Sequence, residues 1–146
     1  MVVVHAFVAL VAGFAVLAVL LMGMTVLLRR VAPSWSDVDR TTAEETELPA
    51  ADSVYPAGWS LGYVIVNLGY SFLACAAGGF VTAWAAVANP LLHVLALGMV
   101  VLALAALSAL QSRGKRPIWY LLALVVVSPV GVLAGGLVWL RVQGYL

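Results

Sequence analysis

The stretch Ser60–Ser112, SLGYVIVNLGYSFLACAAGGFVTAWAAVANPLLHVLALGMVVLALAALSALQS, contains no charged residue. A helix needs about 20 apolar residues to cross the hydrocarbon core of a bilayer, so this run is long enough for two crossings. Asn89-Pro90 divides it. Proline disfavours helix for the residue before it and is well placed in a first helical turn, so one helix ends near 88 and the next starts near 91. Working outward, two further uncharged tracts run from Met1 to Leu28 and from Pro117 to Leu140. The pattern predicts four membrane-spanning helices, at about 2–28, 60–88, 91–111 and 118–141. The fold class is all-α, a single four-helix transmembrane domain over residues 1–146, with helices 2 and 3 paired as a tight antiparallel hairpin.

Composition points the same way. Of 146 residues, 65% are hydrophobic and only 9% charged, and mean hydropathy is +1.13. Soluble domains are about half apolar and a quarter charged. A net charge of +1 leaves no basic footprint for nucleic acid. The first tract lacks a positive n-region and is longer than a signal-peptide core, so it reads as a retained helix. Arginine outnumbers lysine and Ala, Val, Leu and Gly dominate, which fits a GC-rich bacterial genome and an inner-membrane location.

The few charges set an expected orientation. Arg29, Arg30 and Arg40 follow helix 1, and Arg113, Lys115 and Arg116 lie between helices 3 and 4. Arg141 alone falls at the other end. By the positive-inside rule both polar loops are cytoplasmic and both termini periplasmic. Trp59, Trp119 and Tyr120 would then mark the inner interface, and Trp84, Trp139 and Tyr145 the outer one.

The polar loop, 29–59, holds every acid of the chain: Asp37, Asp39, Glu44, Glu45, Glu47 and Asp52. Between residues 31 and 59 they face a single base, Arg40, for a charge of −5. Capping-box spacings at Thr41 and Thr42 predict a short helix within 36–47. Asp37, Asp39, Glu44, Glu45 and Glu47 are candidate residues for docking a basic partner; the plainer reading is a solvated connector. Calcium-loop spacing is absent.

Inside the apolar tracts there is no Asp, Glu, Lys or Arg, whereas ion-coupled transporters usually keep an ionisable group at depth. Neither is there a nucleophile with a base, a carboxylate pair or a metal-ligand set. The reading is therefore non-enzymatic, with no catalytic residue, no metal and no cofactor required. Asn67, Ser71, Gly78 and Thr82 share one helical face with Ala74 and Ala85. Small residues allow close helix approach and Asn or Ser can bond across it, so this face is either a helix–helix seam or a polar pathway. Gly131 and Gly135 form a GxxxG pair with the same meaning, as do Gly58 and Gly62, and Ala74–Gly78 and Cys75–Gly79 fit the looser form. Cys75 has no partner cysteine and reads as a small packing residue. Pro129, after Ser128, should loosen helix 4 and free a carbonyl near Val125. His5 and His93 are candidate cofactor ligands at the outer end, since histidine is a common ligand for zinc and haem iron. A His93–Asn89 hydrogen bond capping helix 3 is the competing role.

The segment from Asn67 to Leu107 resembles small bacterial four-helix membrane proteins of uncharacterised function. The resemblance rests on Asn67, Tyr70 and Ser71, on Gly78-Gly79 followed by Ala83, and on the Pro90-Leu-Leu-His93 turn, joined by Trp119-Tyr120 and by Pro129 with Gly131. It covers about half the chain and excludes the acidic loop. It implies a four-helix protein of the bacterial inner membrane and supplies no activity. Two functions are expected from all this: an accessory or structural subunit of a larger membrane complex, respiratory or photosynthetic in type, or a homo-oligomeric channel for a small neutral solute lined by Asn67, Ser71 and Thr82.

Overall fold

The computed structural model describes residues 2–31, 61–86, 89–111 and 118–144. They form four α-helices: α1 Val2–Val31, α2 Leu61–Ala85, α3 Pro90–Gln111 and α4 Ile118–Val142. Each is long and apolar enough to span a membrane. The shortest, α3, has 22 residues, which at about 1.5 Å per residue reaches roughly 33 Å against a hydrocarbon core of about 30 Å. Among the described residues the charges, Arg29, Arg30 and Arg141, all stand in the last turns of α1 and α4.

The helix ends follow local chemistry. The last turn of α2 closes with the Ala86 amide donating to the Thr82 carbonyl at 3.1 Å. Asn89 then takes a φ of 49°, a left-handed conformation that asparagine tolerates better than most side chains. Pro90 opens α3, where its missing N–H and fixed φ cost nothing. The Asn89 carbonyl accepts the Leu92 amide at 3.0 Å. Helix α2 thus stops three residues short of the expected 88. At the other end of the chain Gly144, with a φ of 74°, donates its amide to the Arg141 carbonyl at 3.1 Å and terminates α4 as a left-handed cap. Pro129 lies inside α4, and the helix runs through it without interruption.

Neighbouring residues give the directions of the helices. Tyr70 of α2 meets Leu20 of α1, and Thr82 meets Gly13; the residue numbers run in opposite senses, so α1 and α2 are antiparallel. Between α2 and α4 they rise together, with Asn67 on Tyr120, Phe72 beside Gly131 and Ala76 beside Gly135. These two helices are parallel. Helix α3 is antiparallel to α4, its Val94 lying on Gly136 and its Ala109 packing with Tyr120 and Leu121.

The pairing of α2 with α4 is the most extensive in the bundle, followed by α1 with α2 and α3 with α4. Helices α2 and α3 touch much less. The expected tight hairpin of the second and third helices is therefore corrected. They are consecutive and oppositely directed, but the principal partner of α2 is α4. The physical reason is steric. The close-approach glycines Gly79, Gly131 and Gly135 join α2 to α4, and in lipid the contact that brings backbones closest gains the most dispersion energy.

Two buried clusters result. The larger joins Leu17, Cys75, Ala83, Val94, Leu97, Val101 and Val132, with Leu10, Leu133 and Trp139 packed on it. The smaller joins Val64, Tyr120 and Leu121, with Leu68 and Ala109, near the end where α1 finishes and α4 begins. The outer surface is apolar on all four helices: Phe7, Met22, Ile65, Leu73, Leu92, Met99, Ile118 and Val126 are all exposed. Contiguous apolar surface on this scale is rare on proteins that face water, and lipid tails solvate it without penalty.

Candidate functional site

Asn67, Tyr70 and Thr82 of α2 are each hydrogen-bonded to a neighbouring helix or to their own. Asn67, half-buried, donates from Nδ2 to the Tyr120 hydroxyl of α4. Tyr120, in the first turn of α4, is only 1% exposed. It faces inward, with Trp119 edge-on at a centroid distance of 6.1 Å. Burying a phenol without a partner is costly, and Asn67 supplies one. One turn on, the Tyr70 hydroxyl donates to the Leu20 carbonyl of α1 at 2.7 Å. So the two polar residues Asn67 and Tyr70, three apart on α2, reach to α4 and to α1 respectively.

Further along, Ser71 is buried. Thr82 is wholly buried, and its hydroxyl donates to the Gly78 carbonyl at 2.9 Å. This back-bond keeps the hydroxyl satisfied without water. In α4, Ser128 does the same with Leu124 at 2.7 Å, and Cys75 lies beside Gly131 of that helix. Cys75 thus lies buried in the α2–α4 seam.

Glycine geometry shows how tightly the seams are closed. A Cβ at Gly13 would lie 1.8 Å from Thr82 Oγ1 and 2.7 Å from the Gly78 carbonyl oxygen. A Cβ at Gly78 would lie 2.9 Å from the Gly13 carbonyl oxygen and 3.1 Å from Leu17 Cβ. On the α4 side a Cβ at Gly79 would lie 2.0 Å from the Val132 oxygen, one at Gly131 2.8 Å from the Phe72 oxygen, and one at Gly135 1.8 Å from the Ala76 oxygen. Of the face read from the sequence, Gly78 and Thr82 pack on α1, and Asn67 bonds to α4. Gly131 and Gly135 pack on α2. The geometry of these residues is that of two helix seams. Gly13, Gly79 and Tyr120 complete them, and Gly136 forms a third contact, with Val94 of α3. Tyr120 shares a stripe on a 3.6-residue period with Ser128, Gly131 and Gly135, and that spacing was the available signal for its inward position.

The histidines stand apart from this. His5 is exposed near the start of α1. The His93 ring is half-buried, with Nδ1 3.0 Å from the Asn89 carbonyl oxygen. As an N–H donor there, it places a second hydrogen bond on the carbonyl that opens α3. Among the described residues no group of three or more His, Cys, Asp or Glu side chains could hold a metal. The acidic positions Asp37, Asp39, Glu44, Glu45 and Glu47, the short helix expected in 36–47, and Gly58 lie outside the described residues.

No family model, curated protein or solved structure matches the chain.

Proposed function

We propose that the chain is a non-enzymatic integral membrane protein of the bacterial inner membrane, acting as an accessory or structural subunit of a larger membrane complex, respiratory or photosynthetic in type. The observation that carries this reading is the use of the inner polar and small residues. Asn67, Tyr70, Thr82 and Ser128 are hydrogen-bonded within the bundle, and Gly13, Gly78, Gly79, Gly131, Gly135 and Gly136 are spent on helix contact. What remains is an apolar outer surface that suits lipid and other helices. In the proposed orientation both polar loops are cytoplasmic and both termini periplasmic, from the placement of six of the seven basic residues. The acidic 31–59 loop then offers its charge of −5 to a basic cytoplasmic surface of the host complex.

The channel reading is the weaker of the two. It needs Asn67, Ser71 and Thr82 to line water. Thr82 is 0% exposed, and the groove beside it is filled by Gly13 and Leu17 of α1. The test is native purification of tagged protein in mild detergent, with mass spectrometry of every co-purifying chain and an absorption spectrum of the same sample. Stoichiometric unlike partners are expected. A colourless homo-oligomer that conducts a neutral solute, with flux lost in Asn67→Leu, would overturn the subunit reading.

A further inference from the structure

We draw no further inference here: the strongest candidate, the outward face of α2 formed by Gly62, Ile65, Gly69 and Leu73, is an exposed apolar and small-residue stripe and nothing in the structure shows what covers it.

Discussion

Replacing Gly135 by alanine should separate α2 from α4. The new Cβ would sit 1.8 Å from the Ala76 carbonyl oxygen, 2.6 Å from its carbon and 2.8 Å from its Cα. All three are backbone atoms, so no rotamer change relieves them. Reaching ordinary contact at 3.4 Å requires the helices to part by about 1.6 Å, which opens the whole seam around Cys75 and Val132. Overpacking of this kind costs about 1–3 kcal/mol. Alanine regains up to about 1 kcal/mol of helix propensity over glycine. Gly69→Ala is the matched control, because a Cβ there meets nothing within 4 Å and only the propensity gain applies. The propensity gain cancels between the two variants, so they should differ by the overpacking cost, about 1–3 kcal/mol, roughly a 5- to 160-fold difference in the folded-to-unfolded ratio. The assay is unfolding by dodecyl sulfate from a mild detergent, followed by the fluorescence of the tryptophans, of which Trp139 packs on the main cluster, and by circular dichroism. If Gly135→Ala unfolds at the same midpoint as Gly69→Ala, the α2–α4 seam described above is wrong.

Other variants probe the remaining contacts. Gly136→Ala should be milder than Gly135→Ala, because its Cβ meets the Val94 methyl Cγ1 at 2.5 Å, and Val94→Ala should restore part of the loss in the double variant. Asn67→Leu and Tyr120→Phe should show a coupling of about 0.5–1.5 kcal/mol in a double-mutant cycle, the range for hydrogen bonds between membrane helices; a coupling of zero would remove the Asn67–Tyr120 bond from the account. Asn89→Val should cost about 1–2 kcal/mol, because a β-branched side chain resists a positive φ, whereas Asn89→Gly should be tolerated; equal midpoints for the two would contradict the left-handed turn. On a Cys75→Ala background, a cysteine placed at Ser36 should react with an impermeant maleimide only from the cytoplasmic side of oriented vesicles, and labelling from the periplasmic side would invert the proposed orientation.

How much of this was readable in the sequence depends on which force decides each feature. The four helices were legible because water and hydrocarbon differ greatly as solvents for a side chain, and Arg29 and Arg141 punctuate the tracts accordingly. The break at Asn89-Pro90 was legible because proline acts locally. Helix partners were not. Lipid tails are as apolar as leucine, so hydropathy carries no preference between α3 and α4 as the neighbour of α2. Small-residue spacing marked Gly131 and Gly135 as contact points without saying against what. Gly13 escaped notice because its partner, Thr82, lies far away along the chain. The inward turn of Tyr120 was hidden for a related reason. An amphipathic ring can sit at an interface facing outward or inward, and the half-buried carboxamide of Asn67, on another helix, bonds its hydroxyl on the inner side.

The parallel pairing of α2 with α4 has a consequence for how the chain is made. Helix α2 leaves the ribosome before its principal neighbour exists. Ala85 ends it and Ile118 begins α4, a gap that synthesis at about 5–20 residues per second takes roughly 2–7 s to cover. Throughout that interval the glycine face at Gly79 and the carboxamide of Asn67 are without their α4 partners. Bundle assembly must wait for the last helix to be delivered, and a nascent α2 is at that stage most open to capture by an insertase or by a helix of another protein.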